Sequence, residues 1–410
     1  MNRKVQLGDL CDFINGGAWS DKEYVSTGIP VLKVSNFKPS GFLLEDVSRL
    51  PNSSLEKYKK HLLQKGDMVI ATVGSHPNLV NSAAGRSCVI TDEVTGYLLN
   101  QNAVCVRTLD SEVLDQKYLT YLGKSFYFQH YIQSRGKGAA NQMRIAISAI
   151  KEYELEPPDI GTQRRIAEIL SAYDDLIENN QKQIKLLEEA AMWLYKEWFV
   201  KLRFPGHEKT KIEDGVPEGW KLTRVKRMGQ VITGKTPSTA IVENYGEDIP
   251  FVKIPDMHGV IYPLKTEVKL SERGANTQKN KFLPPKSIMV SCIATVGLVC
   301  IAHEACQTNQ QINSIVLNDE DHLYYMFFKM KGIKSLLEGV GSNGATMTNV
   351  NKTKFENIEL LKPENEILKK FNNLVEPFFS NILALSKQNE KLKEARDKLL
   401  SKLMSGEIEV

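Results

Sequence analysis

Residues Thr162 to Trp198 read TQRRIAEILSAYDDLIENNQKQIKLLEEAAMWLYKEW and contain neither proline nor glycine. Apolar residues recur in alternating steps of four and three, which is the roughly 3.5-residue repeat of a coiled-coil seam. This pattern predicts a helix about 55 Å long at ~1.5 Å per residue. A lone helix of this kind must bury its apolar side against a partner. The predicted seam residues are Ile166, Leu170, Tyr173, Ile177, Asn180, Ile184, Leu187, Ala191, Leu194 and Trp198.

A second stretch, residues 366–403, predicts the partner helix. Its seam shifts by one residue beside Pro377, which predicts a local stutter or kink. Polar Asn180 and Asn389 lie in the two seams, where a polar residue fixes register at some cost in stability. We expect the helices to pair antiparallel, although homodimerisation through the same residues is an alternative. The second seam contains Ile367, Phe371, Leu374, Phe378, Ile382, Leu385, Asn389, Leu392, Arg396, Leu399 and Leu403.

Composition is that of an ordinary globular protein, with 42% hydrophobic and 25% charged residues in a chain of 410. This length allows about two to four domains. The sequence has no apolar run of about 18 residues, and its first residues lack the apolar core of a signal peptide. Six scattered cysteines without a CxxC pair are typical of core residues in a reducing cytosol. We therefore expect a cytoplasmic protein.

The net charge of +4 is small but unevenly distributed. Residues 152–200 hold eleven acidic and five basic residues, a net charge of −6. Residues 201–235 have a net charge of +5, and residues 131–151 hold four basic residues and no acidic one. The long helix is therefore an unfavourable surface for a polyanion, and the segments around it are more favourable. Charge alone does not distinguish this reading from a random surface.

The two halves of the chain share short segments in the same order, at offsets from 205 to 223. Any one match is weak, but several in one order indicate a tandem duplication. The matches are residues 29–34 with 249–254, 68–69 with 289–290, ATVG at 71–74 with 294–297, 100–102 with 309–311, the Gly-rich loops 136–139 and 341–345, and Pro157 with Pro363.

The sequence thus predicts an α+β protein built as a tandem repeat of a β-rich domain followed by a long helix. The two helices are expected to pair as an antiparallel coiled coil. The predicted parts are a first β-rich domain at 1–160, a first helix at 161–200, a linker at 201–219, a second β-rich domain at 220–363 and a second helix at 364–405.

Four segments resemble the specificity subunits of type I restriction–modification systems. Together with the β-rich blocks, which occupy the places of two target recognition domains, they extend the resemblance over essentially the whole chain. One departure is that the second helix opens with Glu364-Asn365-Glu366 where the first has Thr162-Gln163-Arg164-Arg165. The segments are QRRIAEILSAYDDLIENN (163–180), LLEEAAMWLYKEWFVKLRFPGHE (186–208), VPEGWKL (216–222) and RDKLLSKLMSGEIEV (396–410).

The resemblance implies a DNA-recognition subunit that is not itself an enzyme. Each recognition domain would read one half of a split target in double-stranded DNA, and divergence of the repeats predicts an asymmetric target. The helices would dock two modification subunits, which methylate adenine, and restriction or motor subunits would join through them. S-adenosylmethionine and ATP are expected on those partners, with no cofactor, metal or membrane contact on this chain. Half-sites should lie about one helical turn apart.

Two motifs suggest an enzyme instead. Residues 229–236, GQVITGKT, fit the nucleotide-binding pattern GxxxxGK[ST], but Pro237-Ser238-Thr239 follow where a phosphate-binding helix should begin. Pro255-Asp256 and Glu267-Val268-Lys269 resemble the PD…ExK arrangement of metal-dependent nucleases, but the first repeat has Ser35-Asn36 in place of the first pair. The seven histidines form no HxH or HxxxH pair. For Gly234, Lys235 and Thr236 we favour a strand-end turn that faces DNA.

Polar loops at equivalent points of both repeats predict the DNA contacts. Asn and Gln can pair bidentately with adenine, and Arg with guanine, while a loop that only caps a strand is the alternative. The candidates in the first repeat are Gly17, Lys33, Ser35, Asn36, Thr72, Ser75, His76, Lys137, Asn141, Gln142 and Arg144. Those in the second are Lys235, Thr236, Lys253, Asp256, Thr295, Asn309, Gln310, Asn343, Thr348, Asn349, Asn351 and Lys352.

The first helix ends in a dense aromatic cluster, Trp193, Tyr195, Trp198 and Phe199. This exceeds what a two-helix seam needs and predicts a seat for a partner subunit or for the neighbouring recognition domain. A structural adaptor with two protein- or peptide-binding domains is the remaining alternative. Seam residues that also serve as partner-binding candidates are Ile166, Tyr173, Ile177, Asn180, Ile184, Leu187, Leu194, Trp198, Leu385, Asn389, Leu392 and Leu399.

Overall fold

The computed structural model describes residues 4–38, 41–44, 47–74, 83–139, 142–341 and 349–410, with only the backbone of residues 139, 142, 335, 338, 340 and 341. The chain forms two compact units. Unit 1 contains residues 1–176 and 392–410, and unit 2 contains residues 177–391. Each unit therefore combines one β-rich domain with a segment of each of two long helices.

Unit 1 is built on two sheets. In the described part of the chain, an antiparallel sheet has four strands in the order Cys11–Asn15, Ala103–Thr108, Met68–Ala71 and Ser87–Val89. A smaller sheet has the order Leu98–Leu99, Ile29–Leu32 and Arg49–Leu50, and its first pair is parallel.

Unit 2 has the same two sheets in its described residues. The larger sheet has the order Gly229–Thr233, Ile312–Leu317, Ile288–Ser291 and Val299–Ile301. The smaller has the order Gln307–Thr308, Tyr245–Val252 and Val268–Leu270, again with a parallel first pair. Strand order and direction are thus repeated, and the predicted tandem repeat of an α+β domain is confirmed.

The shorter helices recur in order, and of the remaining strands the pair Val5–Gln6 with Glu154–Leu155 recurs as Lys221–Arg224 with Glu359–Lys362. Further strands are Val5–Gln6 with Glu154–Leu155, Phe37–Lys38 with Gly41–Phe42, and Val73–Gly74 with Gln142–Arg144 and Lys137–Ala139 in unit 1, and Ile212–Glu213 with Val216–Pro217 and Lys221–Arg224 with Glu359–Lys362 in unit 2. Helices are Leu7–Leu10, Leu55–Tyr58, Gln116–Lys124, Phe126–Ser134 and Ile147–Lys151 in unit 1, and Val225–Met228, Glu272–Asn276, Leu323–Lys331, Lys334–Gly341 and Lys352–Glu356 in unit 2.

Two predicted matches between the repeats are wrong. Strand register places Ala71 opposite Ala103 and Ser291 opposite Ile312, so Ala71 corresponds to Ser291 and not to Ala294. The identical ATVG segments are therefore three residues out of structural register. By the same register Met68 corresponds to Ile288, so the match of Met68 with Met289 is one residue out. Hydrogen-bonding register, not letter identity, defines equivalent positions.

Strand Met68–Ala71, which lies inside the larger sheet of unit 1, is buried on both faces. This explains its continuous apolar run. In unit 1, Met68 and Ile70 pack with the helices, whereas Val69 and Ala71 pack on the opposite face with Leu32. Successive side chains of a strand point to opposite faces, so both sets are covered only when the sheet lies between two layers. The smaller sheet supplies the second layer.

The first long helix spans Ile160–Tyr195 and continues as a π-helical turn, Lys196–Val200. Buried Gln163 joins its start to the domain that precedes it. The Gln163 Nε2 donates to the carbonyls of Pro158 (2.8 Å) and Val113 (3.1 Å), and its Oε1 accepts from the Asp115 N–H (2.9 Å). Both of its N–H groups and its carbonyl oxygen are hydrogen-bonded within unit 1, so this glutamine fixes the start of the helix to the domain.

The second long helix spans Asn365–Met404 and runs through Pro377. The predicted seam is wrong around this proline. Leu374 is 44% exposed, whereas Val375 and Phe379 are buried. On the first helix, Tyr195 is buried and Leu194 and Trp198 are half-buried. The buried stripe follows Phe371, Val375, Phe379 and Ile382 because this part of the helix faces the core of a β-rich domain, which requires a wider apolar face than a two-helix seam.

The helices contact each other within each unit. In unit 2, the Asn180 Nδ2 donates to the Asn389 Oδ1 (2.9 Å) and to the Gln388 Oε1 (3.0 Å), and Asn180 and Asn389 are 2% and 4% exposed. Fifteen residues further along the first helix, Tyr195 packs against Phe371, so the segments in this unit run antiparallel. A coiled coil along the full length of both helices stays a prediction.

The other seam candidates have mixed burial. Ile166 and Ile177 are buried, Ile166 in the core of unit 1 together with Leu170, Leu400 and Leu403. The half-buried candidates are Tyr173, Ile184, Leu187, Leu385, Leu392 and Leu399.

The aromatic cluster at the end of the first helix is mostly not exposed. Tyr195 packs on Phe328 (5.4 Å between ring centroids), and Phe199 packs on Tyr325 (4.8 Å). Of the two predicted seats, these contacts bear out the neighbouring β-rich domain for these two rings. Trp198 packs on Phe371 of the second helix, and only Trp193 of the four remains largely exposed.

All six cysteines are buried thiols, as the sequence predicted. Burial raises the pKa of Cys292 to about 11 and that of Cys11 to about 12, so these thiols are protonated and unreactive near neutral pH. Every described helix is too short or too polar to cross a lipid bilayer.

The Asn180–Asn389 pair generates a prediction about stability. Asn180→Ala should lower the free energy of unfolding by about 1–3 kcal/mol, because the Asn389 amide oxygen is left buried without its donor. Asn179→Ala, at the adjacent exposed position, should change it by less than about 0.5 kcal/mol. Urea unfolding followed by circular dichroism measures both. Equal effects of the two substitutions would contradict a role for the buried pair.

A second prediction concerns the Asp174 carboxylate in unit 1. It accepts from the Tyr121 hydroxyl (2.8 Å) and lies beside the Lys124 ammonium (3.4 Å) and the Arg396 guanidinium. Burial alone would raise the pKa of Asp174, but the charges of Lys124 and Arg396 outweigh it and hold the pKa below its usual value of 3.8. A depressed pKa contributes stability that is present above the unfolded-state value and is lost as pH falls through the folded-state value.

We therefore expect Asp174→Asn to cost about 1.5–3 kcal/mol of unfolding free energy near pH 7. The difference from the native chain should be constant above about pH 5 and shrink below about pH 4. Unfolding at a series of pH values measures it, with exposed Asp175→Asn as the matched control. A difference that does not depend on pH would contradict the role of the Asp174 charge.

Candidate nucleic-acid interface

In each unit, several strands end at one edge of the larger sheet. In unit 2, Gly229–Thr233 and Ile288–Ser291 end where the antiparallel Ile312–Leu317 begins. The loops that leave these strands must therefore lie side by side. This edge brings together most of the second-repeat candidates that the structure describes.

Backbone hydrogen bonds place four segments of unit 2 next to one another. The Lys235 N–H donates to the Thr308 carbonyl (2.9 Å), and the Cys292 N–H donates to the Gln311 carbonyl (2.8 Å). The Val350 N–H donates in turn to the Cys292 carbonyl (2.9 Å). We call segments 234–236, 309–311, 292–295 and 349–351 the unit 2 edge.

Unit 1 repeats this arrangement. The Gly17 N–H donates to the Leu99 carbonyl (2.7 Å), the Thr72 N–H to the Asn102 carbonyl (2.9 Å) and the Ile145 N–H to the Thr72 carbonyl (2.9 Å). Segments 16–18, 100–102, 72–74 and 144–146 form the unit 1 edge. The hydrogen bonds establish the equivalent positions, which are Gly17 and Lys235, Gln101 and Gln310, and Arg144 and Asn349.

Close backbone packing explains why a glycine directly precedes both Gly17 and Lys235. A Cβ at Gly234 would lie 2.1 Å from the Asn309 carbonyl oxygen, and one at Gly16 would lie 1.9 Å from the Asn100 carbonyl oxygen. Neither distance is sterically allowed, so only glycine lets the chain pass here. The glycine of the Gly-Lys-Thr sequence in the second repeat therefore follows from packing at the sheet edge.

The nucleotide-binding alternative has no structural basis at this point. Gly229–Thr233 form a strand paired along its length with Ile312–Leu317, so the residues that would make a phosphate loop are committed to a sheet. No helix begins at Pro237, and the next helical turn is Val242–Asn244. A phosphate loop needs free backbone N–H groups and a following helix terminus.

The nuclease alternative fails on the carboxylates. Asp256 accepts from the backbone N–H of Lys253 (2.8 Å) and of Glu267 (3.0 Å), and Glu267 pairs with the Lys253 ammonium (2.9 Å). Asn36 holds the equivalent turn in unit 1, accepting from the Lys33 N–H (2.8 Å). Among the described residues, no group of three His, Cys, Asp or Glu side chains could hold a metal ion. Asp256 and Asn36 therefore close local turns.

Several other candidates are also used within the fold. Thr72 is buried, and Asn309 is buried with its amide bonded to Gln311. Asn351 caps helix Lys352–Glu356 by accepting from the Lys354 N–H (2.9 Å), and Lys352 pairs with Glu356 (3.4 Å). Thr72 and Asn309 therefore shape the edges. Asn351 and Lys352 are exposed but bonded to helix Lys352–Glu356, which corresponds to the alternative of a loop that caps an element.

The exposed candidates form a smaller set. Lys33 is half-buried, with its ammonium 4.0 Å from the centroid of the Tyr24 ring, and Gly17 is buried. Ser75, His76, Asn141, Asn343 and Thr348 lie outside the described residues, as does the side chain of Gln142. Besides Asn351 and Lys352, the exposed candidates are Ser35, Lys137, Arg144, Lys235, Thr295, Gln310 and Asn349, with Thr236 and Lys253 half-exposed.

Two exposed cations, one of them in the unit 1 edge, lie opposite each other in a hairpin. Lys137 pairs with Arg144 across the hairpin formed by Lys137–Ala139 and Gln142–Arg144. Like charges at directly opposed positions of a hairpin are destabilising. Neither has an ion-pair partner among the described residues, so a bound polyanion would neutralise an arrangement that the fold leaves unfavourable.

Sequence analysis did not include Gln101 among the candidates, although it is exposed at the position equivalent to Gln310. The signal was present, because residues 100–102 were already matched with 309–311. It also missed buried Gln278, whose Nε2 donates to the Lys235 carbonyl (2.7 Å) and to the Gln307 Oε1 (2.8 Å). Nothing in the local sequence marks Gln278, because its partners come from distant segments.

Comparison with known proteins adds independent findings. The family model described as "Type I restriction modification DNA specificity domain" matches residues 2–189 and again residues 217–394. The HindI specificity subunit of Haemophilus influenzae is 28% identical, with 99% of each chain covered. The MjaIX specificity subunit of Methanocaldococcus jannaschii is 31% identical over 72% of this chain and 69% of that one.

A solved structure shows the same fold. The crystal structure of the type I restriction–modification system S subunit from M. genitalium aligns with a TM-score of 0.56, covering 98% of this chain and 95% of that chain. The sequence identity is 15%.

Proposed function

The chain belongs to the family of type I restriction modification DNA specificity domains, and from that premise we propose that its two edges read the two halves of one split target in double-stranded DNA. It is a specificity subunit, a DNA-recognition component and not a catalytic one. One observation carries the proposal. Both units have the same backbone at the edge but present different side chains there.

The side chains at equivalent positions differ in what they can bind. Arg144 of unit 1 is suited to guanine, whereas Asn349 of unit 2 is suited to adenine. Gly17 presents no side chain where unit 2 has the Lys235 ammonium, which suits a phosphate or a guanine edge. Two copies of one scaffold with different readers bind two different half-sites, so the target is asymmetric.

We infer that the helices are the docking site for the modification subunits. Exposed apolar residues recur at seven-residue spacing on the first helix, since Leu186 and Val200 are each 64% exposed and Trp193 is 60% exposed. Next to Leu186 in unit 2 lies an open groove of about 620 Å³. An apolar stripe of this kind suits a partner protein, and the net charge of −6 over residues 152–200 disfavours DNA.

The groove is lined by side chains of both helices, including three leucines. Its lining residues are Gln183, Leu186, Leu187, Asn381, Ala384, Leu385 and Gln388.

The proposed assembly holds two modification subunits, one for each repeat, because a repeated spine can hold two copies of one partner. Those subunits would carry S-adenosylmethionine and methylate adenine, and restriction or motor subunits that use ATP would join through them. We place this assembly in the cytoplasm, where the host DNA lies.

An exchange of domains tests the DNA proposal. Residues 1–159, which precede the first long helix, are replaced by the corresponding domain of a relative with another target. Methylation mapping of host DNA in cells that also express the modification subunits should show one half of the target changed and the other retained. The reciprocal exchange of residues 220–363 should change the other half. A change in both halves after either exchange would refute independent reading.

A substitution on the helix tests docking. Trp193→Glu should weaken modification-subunit binding by about tenfold or more, since exposed aromatic anchors at interfaces contribute about 2 kcal/mol or more. The matched control is Leu222→Glu, at a residue 69% exposed on a strand of unit 2 and away from the stripe. Native mass spectrometry and titration of the co-purified complex measure stoichiometry and affinity. Equal losses for both variants would remove the stripe from the interface.

A further inference from the structure

We propose that Gln310 reads an adenine in the half-site bound by unit 2 and that Thr236 is the positioning residue that holds its amide for this task. The inference rests on the proposed function. It goes further by dividing the unit 2 edge into a residue that touches the base and a residue that acts only through it.

The geometry of the pair sets the direction of the amide. The Thr236 hydroxyl donates to the Gln310 Oε1 at 2.6 Å. A carbonyl oxygen accepts two hydrogen bonds, so one lone pair of Oε1 and both N–H groups of Nε2 remain available on this exposed side chain. An adenine presents the N6 amino donor and the N7 acceptor in the major groove, which match those free groups. Without Thr236 the amide could rotate and present its groups in reverse order.

Both residues stand on backbone that the fold holds in place. Asn309 closes the loop that carries Gln310, because its Oδ1 accepts from the Gln311 N–H (3.2 Å) and its Nδ2 donates to the Gln311 Oε1 (2.9 Å). The backbone N–H of Asn309 donates to the Val252 carbonyl (3.2 Å). Little conformational entropy remains to be lost by this loop when DNA binds.

Hydrogen bonds from buried glutamine amides fix the loop that carries Thr236. Gln278 donates to the Lys235 carbonyl and to Gln307, and Gln307 donates to the Ala275 carbonyl (3.0 Å). Gln278 and Gln307 are 3% and 0% exposed. A reading residue must be held within a fraction of an ångström, and buried supporting hydrogen bonds provide this.

Unit 1 supplies a natural contrast. Gln101 occupies the position of Gln310, but residue 18, equivalent to Thr236, is an alanine. The Gln101 amide therefore lacks the hydroxyl that orients its counterpart. The two half-sites should differ in how strictly the base at this position is specified, with the stricter requirement on the unit 2 side.

The test uses the assembled complex with its modification subunits and a duplex library randomised one position at a time across both half-sites. Methylation of each duplex is measured for the native chain and for Gln310→Ala, Thr236→Val, Thr236→Ser and Gln101→Ala. Gln310→Ala should reduce the preference for adenine at one position of the unit 2 half-site by about 5- to 150-fold, the range for one bidentate contact. Thr236→Val should weaken the preference for adenine at the same position. Thr236→Ser, which keeps the hydroxyl, should retain that preference.

Three results separate the readings. If Gln310→Ala leaves every base preference intact, Gln310 does not read the target and the inference is overturned. If Thr236→Val lowers methylation of all duplexes equally, the pair only closes a loop, which overturns the positioning role. Gln101→Ala should leave the unit 2 half-site unchanged. Failure of the native complex to require two half-sites would instead refute the proposed function, and thermal unfolding of each variant shows that it is folded.

Discussion

The fold depends on a simple constraint: neither long helix can bury its apolar side alone. In unit 1 the core includes Ile166 and Leu170 of the first helix and Leu400 and Leu403 of the second. In unit 2 it includes Tyr195 of the first helix and five residues of the second, Leu368, Phe371, Val375, Phe379 and Ile382. Each β-rich domain is thus completed by the beginning of its own helix and the end of the other. Each domain core therefore includes residues from both repeats.

Polar contacts between the helices add specificity to this apolar packing. The buried Asn180–Asn389 pair satisfies itself only when these two positions meet, so a shift of register would leave amides unpaired in a dry environment. The cluster around Asp174 acts in the same way in unit 1, since it joins Tyr121 of the domain to Arg396 of the second helix. Both devices select one arrangement from many that would bury similar apolar area.

At the unit 1 and unit 2 edges, the groups that fix the loops are different from the side chains that are exposed to a ligand. Backbone hydrogen bonds and the glycines at 16 and 234 fix the loops identically in both units, so those positions tolerate no change. The exposed side chains make few contacts within the fold, and they differ between units at each equivalent position except that of Gln101 and Gln310. A protein of this design can change its target without changing its structure, which suits a recognition subunit.

Sequence alone determined the tandem repeat, the two long helices and the family, because hydrophobic periodicity and quoted motifs are local properties. It did not determine register: the identical ATVG segments are out of structural alignment, and Leu374 is exposed where a seam was predicted. Nor did it distinguish Gln310 from its neighbour Asn309. The amide of Gln310 projects from the edge, whereas the amide of Asn309 is hydrogen-bonded to Gln311. Burial and hydrogen-bond partners arise from segments far apart in the chain, and only the tertiary structure brings those segments together.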